Sequence, residues 1–253
     1  MTTRTILITG ATSGIGWATA VLLHEAGHRI VATGRRADRL DALRNHLKER
    51  IYTLAFDVRN RTDVQMAITS LPTDWADIDV LINNAGNAHG LDPIQDGSWD
   101  DWEAMVDINI KGLLAVTEAV LPIMTRKKSG HIINIGSIAG TQAYAKGAVY
   151  CGSKAAVALI TEGLRIDLNP LGIKVSEVKA GMVETEFSIV RFKGDEAKAN
   201  AVYAGLQPLT AHDVASTLAY MVQAPTHVNL AEVVLMPLAQ ASVSVYNRNT
   251  TTR

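Results

Sequence analysis

Residues 5–16 read Thr5-Ile6-Leu7-Ile8-Thr9-Gly10-Ala11-Thr12-Ser13-Gly14-Ile15-Gly16. An aliphatic, strand-like run ends in a glycine turn, and a helical pattern over 15–26 begins at once. Gly10 permits the tight turn, Gly14 lets backbone approach a pyrophosphate, and Gly16 lets helix pack on strand. The new helix aims its N-terminal N–H groups and positive dipole end at the phosphates. Thr12, Ser13 and Ile15 belong to the same turn and join it as candidate cofactor contacts. The spacing is G-x-x-x-G-x-G instead of G-x-G-x-x-G, yet the mechanism is the same.

Outward from this turn, strand and helix patterns alternate. Strands are predicted at 4–9, 29–34, 51–56, 78–82, 130–136, 173–178 and 232–236. Each is short and rich in Ile, Val or Leu, as in strands buried on both faces of a parallel sheet. Helices are predicted at 15–26, 38–48, 61–69, 99–127 with a break, 149–168 and 211–223. Asp38 and Asp213 sit where N-caps are expected, and Gly27 where a C-cap is. The pattern predicts an α/β fold: a single Rossmann-type domain over 1–253, with a doubly wound, mostly parallel seven-stranded sheet and helices on both faces. Residues 182–210 break the alternation and read as a loop with short helices, a candidate substrate-binding lid. Residues 237–253 read as a polar tail, either disordered or reaching a neighbouring active site.

Composition excludes several functions. The 253 residues carry 24 Lys plus Arg and 25 Asp plus Glu, a net charge of −1. Nucleic-acid binding needs a basic surface that this balance does not supply. No apolar run approaches the roughly 18 residues of a membrane span. The most apolar stretch, 112–124, already holds Thr117 and Glu118. No signal segment is expected ahead of the first strand, and the lone Cys151 forbids an intramolecular disulfide. A cytoplasmic location is the expectation. No metal is expected at the site.

The second strand ends Ile30-Val31-Ala32-Thr33-Gly34-Arg35-Arg36. An NAD-specific fold places a carboxylate here, about 20 residues past the glycines, for the ribose 2′-hydroxyl. This chain offers two guanidiniums instead. Arg35 and Arg36 can grip a 2′-phosphate through charge-assisted bonds, so NADP(H) is the expected cofactor.

Tyr150 and Lys154 are four apart in a helical segment and share a face. Ser137 ends the preceding strand, thirteen residues before Tyr150. A free tyrosine, with a pKa of about 10, is a poor acid–base group at neutral pH. The Lys154 ammonium and a nearby nicotinamide cation would lower that value. Ser137 would donate to the substrate carbonyl oxygen.

These residues resemble the short-chain dehydrogenase/reductase family, and the resemblance runs along the whole chain. Its motifs here are Thr9-Gly10-x-x-x-Gly14-x-Gly16, Asp57-Val58, Asn83-Asn84-Ala85-Gly86, Asn109, Ser137 and Tyr150-x-x-x-Lys154. The resemblance implies further roles. Asp57 and Val58 would border the adenine. Asn84, Ala85 and Gly86 would line the adenosine ribose region and steady the central strands. Asn109 would hold a water linking Lys154 to solvent, and Lys154 would bond the nicotinamide ribose. Ala180, Gly181, Val183 and Thr185 would complete the cofactor site. A homotetramer is implied, with the helices at 149–168 and 112–127 at one interface.

Within the family the chain looks like the NADP-dependent 3-hydroxy acid, or serine-type, dehydrogenases that also act as malonic semialdehyde reductases. The matching stretches are Ala32–Arg36, Thr185–Phe187, Val190–Asp195, His227–Asn229 and Met236-Pro237. Sulfoacetaldehyde reductases look similar over the same stretches. One departure stands out: Lys179-Ala180-Gly181 replaces the usual Pro-Gly after the sixth strand, removing a fixed φ and adding a charge. A small anionic substrate, or another short carbonyl compound, is expected. An anion needs a cation or convergent donors. Arg191 in the lid is the candidate fork, with Lys179 and Lys193 as alternatives, and Gln142 and Tyr144 as pocket wall. A catalytically silent NADP-binding regulator would keep the glycines but would not need Ser137, Tyr150 and Lys154 together. An epimerase normally carries a larger substrate domain than this length allows.

Overall fold

A computed structural model describes residues 2–248. Nine strands and nine α-helices are found among them. The first half runs β1 (Thr5–Ile8), α1 (Gly14–Glu25), β2 (Arg29–Gly34), α2 (Ala37–Leu47), β3 (Ile51–Ala55), α3 (Arg61–Thr69) and β4 (Val80–Asn83). Next come α4 (Trp99–Val106), α5 (Leu113–Lys127), β5 (Gly130–Ser137), α6 (Ala148–Leu168) and β6 (Ile173–Ala180). The chain closes with β7 (Val183–Glu184), α7 (Phe187–Arg191), α8 (Glu196–Ala201), β8 (Leu209–Thr210), α9 (Ala211–Gln223) and β9 (Glu232–Leu235). The main sheet has the order β3-β2-β1-β4-β5-β6-β9, and every pairing in it is parallel. A Rossmann-type α/β domain is therefore established.

Strand alternation sends side chains to two cores. Ile6, Ile8, Ile30, Val80 and Ile133 pack with Leu23 of α1, Leu43 of α2 and Leu218 of α9. Leu7, Val31, Leu81, Ile132 and Val175 pack with Val64 of α3 and Val116 and Val120 of α5. The inner strands β1 and β4 are buried on both faces, which explains their continuous aliphatic runs, while the edge strands β3 and β9 are partly exposed.

The break expected in 99–127 is a π-helical turn at Asp107–Gly112, between α4 and α5. Such bulges often lie at functional sites, and this one carries Asn109. The irregular segment 182–210 contains α7, α8 and the small parallel pair β7–β8. These strands are two residues long, too short to show a period in the sequence.

Three end assignments are corrected. Thr210, not Asp213, is the N-cap of α9. The Asp213 amide donates to the Thr210 hydroxyl, and the Asp213 carboxylate accepts from the Thr210 amide at 2.7 Å. This is a reciprocal capping box, in which the acid belongs three residues inside. Arg36 occupies the cap of α2, and Asp38 lies in its first turn, where its charge favours the dipole. Gly27, at φ +91°, follows the C-cap Ala26 instead of forming it.

Over its described part the tail contacts its own domain. The Gln240 side chain accepts from the Met182 amide at 2.8 Å, Gln240 bridges to Tyr246, and Arg248 reaches the carbonyls of Val202 and Ala204. Residues 237–248 thus fold back on their own domain, and 249–253 lie outside the described residues. No described helix is long and apolar enough to cross a membrane.

His131 on β5 is buried, bonded through Nε2 to Ser176 Oγ at 2.8 Å, and its Nδ1 has no partner. Burial, helped by the Lys174 and Arg4 charges, pushes it down to about 3 from 6.5. Unfolded chain therefore binds a proton below about 6.5 that folded protein refuses, so stability is lost as pH falls from 6.5 towards 3. The urea midpoint should fall across this window, and less steeply in His131→Gln.

Candidate active site

The strand order reverses between β1 and β4, and ligands bind such sheets outside the carboxyl ends of the strands at that point. A cleft of about 610 Å³ opens there.

Its floor is the glycine turn. Gly10 (φ +66°) and Gly14 (φ +51°) adopt backbone that other residues strain to reach. A Cβ on Gly16 would collide with the Gly10 carbonyl and lie 2.6 Å from Asn84 Nδ2. Gly16 is thus the contact of α1 on the sheet and lies behind the cleft. Asn84 ties β4 to the turn: its Nδ2 donates to the carbonyls of Thr9 (2.9 Å) and Gly10 (3.2 Å). The Thr9 hydroxyl accepts from the amides of Asn84 (3.0 Å) and Ala85 (2.9 Å). Gly10, Thr12, Ser13, Gly14 and Ile15 line the cleft, as do Asn84, Ala85 and Gly86. A bare-backbone cradle at a helix start fits a pyrophosphate.

Arg35, Arg36, Asp57 and Val58 line one end. Arg36 lies over the turn, 3.2 Å from Thr12 Oγ1, and its Nη1 donates to Glu186 at 2.8 Å. Arg39 is 3.9 Å from Glu186, and Arg35 is 3.9 Å from Asp57. Arg59 grips Asp57 with two nitrogens, the shorter bond being 2.6 Å. Burial works to raise Asp57, but the Arg59 bonds prevail and hold its carboxyl below the usual range. Four guanidiniums here face two carboxylates. That surplus fits the 2′-phosphate of an adenine dinucleotide. Glu186 escaped sequence reasoning because only the fold brings it to Arg36, 150 residues away, while Arg39 and Arg59 lie within three residues of Arg36 and Asp57 and were within its reach.

At the other end, Ser137, Tyr150, Lys154, Tyr144 and Arg191 share the cleft wall with Ala180, Gly181, Val183 and Thr185. Ser137 ends β5 and its hydroxyl lies 3.3 Å from the Ala180 carbonyl. Lys154 Nζ donates to the Ile135 carbonyl at 2.8 Å. Asn109 is buried and fully committed: Oδ1 accepts from the Asn87 amide, and Nδ2 donates to the Asn87 carbonyl and Ser153 Oγ. A Cβ on Gly86 would be 3.1 Å from Asn109 Oδ1 and 3.5 Å from Lys154 Nζ. Asn109 therefore stands behind Gly86, beside Lys154 and outside the cleft lining. Phe187 packs edge-on to Tyr150, with centroids 5.7 Å apart.

The electrostatics differ from the simple expectation of a lysine-acidified phenol. Burial pushes the Tyr150 hydroxyl well above its ordinary value, with Tyr144 adding to the rise, while a bond to Ser137 and the Arg191 charge pull it back. Burial also pulls Lys154 down to about 8, against the Glu177 charge.

Of the cations considered for an anion, one reaches the site. Arg191 donates to the Tyr144 hydroxyl at 2.8 Å and to the Gly90 carbonyl at 3.1 Å, and its guanidinium lies 5.6 Å from the Tyr150 ring. Lys179 is bonded to Glu232 at 2.7 Å and Lys193 to Asp101 at 3.0 Å, both outside the cleft lining. Gln142 is exposed in the turn after β5 and does not line the cleft. Val243, Tyr246 and Arg248 of the tail do.

A phosphate cradle at the reversal point, a basic end and a Ser–Tyr–Lys wall define a dinucleotide-binding oxidoreductase. A family model described as short chain dehydrogenase matches residues 4–196. The NADP-dependent 3-hydroxy acid dehydrogenase YdfG of Salmonella typhi is 46% identical over 244 residues, 95% of this chain and 98% of that protein. The serine 3-dehydrogenase of Agrobacterium fabrum is 41% identical over 97% of this chain and 99% of its own. A closed form of serine dehydrogenase complexed with NADP+ superposes with a TM-score of 0.93 at 42% identity, covering 96% of this chain and 98% of that one. The chain belongs to the short chain dehydrogenase family.

Arg36→Ala should weaken NADPH binding about 10- to 100-fold, as expected for bonds to a charged group, and leave NADH binding unchanged. Fluorescence titration with both cofactors measures this, and the added Arg35→Ala should widen the loss.

Proposed function

We propose that this protein is an NADP(H)-dependent oxidoreductase that interconverts a small 3-hydroxy acid and its carbonyl, of the serine or malonic semialdehyde type. The observation that carries the reading is the Arg191 guanidinium held beside the Tyr150 ring in a cleft that also presents Ser137 and Lys154. The relatives named above, with NADP and hydroxy acids in their names, support it.

When bound, NADPH supplies the hydride. Thr12, Arg35 and Arg36 hold its 2′-phosphate, and the turn at Gly10–Gly16 cradles its pyrophosphate. Asp57 and Val58 border the adenine, and Ala180, Gly181, Val183 and Thr185 wall the nicotinamide end. Ser137 donates a hydrogen bond to the substrate carbonyl oxygen, and Arg191 pairs with the substrate carboxylate, backed by Tyr144. Tyr150 gives its proton to the carbonyl oxygen. Burial keeps the phenol protonated at neutral pH, and the Ser137 bond and the Arg191 charge, which oppose that rise, bring it back toward the range where it can give the proton up. Lys154, still protonated at neutral pH with a value of about 8, stabilises the phenolate left behind. Asn109 fixes the wall beside Lys154. Segment 182–210 serves as the lid, since it carries Arg191.

A sulfonate would meet the same guanidinium, so sulfoacetaldehyde is the second substrate to try. A silent regulator is disfavoured, because it has no use for the assembled Ser137, Tyr150 and Lys154. Leu114 on α5 and Leu159 and Ile166 on α6 are exposed apolar side chains. They support a homotetramer with these helices at one interface. The free, buried Cys151 suits a reducing cytoplasm.

Tyr150→Phe should lower kcat by about 10²- to 10⁴-fold with NADPH binding retained. Turnover near the wild-type rate, followed as NADPH absorbance, would refute the mechanism. Arg191→Ala should raise KM for an anionic aldehyde about 10- to 100-fold and spare an uncharged one of the same length. Equal losses on both would remove Arg191 from the anion role.

A further inference from the structure

Glu177 lies on β6 and is fully buried, and neither of its carboxylate oxygens has a hydrogen-bond partner. Its nearest cation is Lys179 Nζ at 3.6 Å, which is bonded more closely to Glu232 at 2.7 Å. A buried charge without donors is costly and persists only beside opposite charge. Its position explains what it serves. The carboxylate leans across to β5, where a Cβ on Gly136 would overlap Oε1, so only glycine leaves it room. The preceding residue is Ile135, whose carbonyl accepts the Lys154 ammonium at 2.8 Å. Carboxylate and ammonium thus lie against the same peptide unit, one arriving from β6 and the other from α6. Glu177 does not line the cleft, so it reaches the site only through Lys154.

We propose that Glu177 is a positioning residue for the reaction: its buried negative charge keeps Lys154 protonated, and Lys179 keeps Glu177 ionised. The proposal rests on the reading of Lys154 as part of the catalytic set. The ionisable groups around Glu177 are Lys154 from α6, Lys179 from its own strand and Glu232 from β9, with Arg165 of α6 acting on Glu232. From β5 it faces Asn134, its register partner, and Gly136, neither of which titrates. Charges therefore alternate from the cleft to the surface as Lys154, Glu177, Lys179 and Glu232. Burial pulls Lys154 down and Glu177 opposes it. Burial likewise pushes Glu177 up, while Lys179 and Lys154 hold it down. Neutralising Glu177 leaves burial unopposed, so Lys154 loses its proton at lower pH.

The test is the pH dependence of kcat in Glu177→Gln and Glu177→Asp. In Glu177→Gln the alkaline limb should move to lower pH by about one unit, the lower end of what a close opposite charge produces. Glu177→Asp should restore most of it. An NMR titration of the Lys154 ε-carbon in isotope-labelled, ligand-free protein should shift in the same direction. Should Glu177→Gln fail to fold, Lys179→Gln carries the test. It takes away the nearer of the two cations that hold the carboxyl ionised, and the limb and the NMR titration should again move to lower pH. Superposition of both measurements on wild type in a folded variant overturns the proposal. The underlying reading fails separately, if Lys154→Met turns over at the wild-type rate.

Discussion

The hydrogen bond from Lys154 to the Ile135 carbonyl holds the site together. It pins α6, which carries Tyr150, to β5, which ends in Ser137. Two residues thirteen apart in sequence thereby face one another across a single strand end. Around that bond the neighbours leave room where side chains would intrude. Gly86 gives way to Asn109 and Lys154, Gly136 gives way to Glu177, and a Cβ on Gly140 would lie 2.6 Å from the Lys154 carbonyl oxygen. Each is a backbone surface on which a helix or a charged side chain rests. The same economy appears at Gly16, where α1 meets the sheet. The cleft is thus bounded by close contacts between elements, and its geometry follows from them.

Much of this was legible in the sequence because it depends on local order. Aliphatic runs between helical patterns gave the seven main strands, since a parallel sheet must bury both faces. The glycine turn, the arginines after β2 and the Tyr–Lys pair each reside in one short segment. What escaped depends on distance in the chain. Glu186, 150 residues from Arg36, meets its guanidinium at 2.8 Å, and no spacing rule connects them. Asp213 is a natural cap by residue type, yet the helix begins at Ala211, so Thr210 holds the cap and Asp213 completes the capping box from inside. Gln142 follows Ser137 closely, but the chain turns away after β5 and carries it to the surface. Lys179 is a candidate cation for the substrate on sequence alone, whereas its place on β6 beside β9 commits it to Glu232.

At the reacting wall, charge is governed by burial first and by partners second. At Tyr150 and Lys154, burial drives both groups toward their neutral forms. A raised phenol and a lowered ammonium do not by themselves make a proton relay. They make one only where other groups oppose the burial, as the Arg191 charge and the Ser137 hydrogen bond do at the phenol and Glu177 does at the ammonium. At the exposed basic end the order changes. There the Arg59 bonds overcome the burial of Asp57, so the carboxylate remains charged beside Arg35 without cancelling the basic surplus.

The short helix α7 links these two regimes. Glu186 precedes it and meets Arg36 at the basic end, while Arg191 closes it and meets Tyr144 beside Tyr150. Phe187, between them, packs on the Tyr150 ring. Five helical residues therefore span the cleft from the basic end to the reacting wall. A helix this short has little stability of its own, so its position is set by the contacts at its two ends. Arg36 and Tyr144, from opposite ends of the cleft, thus hold the two ends of one element, and the placing of Arg191 rests on contacts at both.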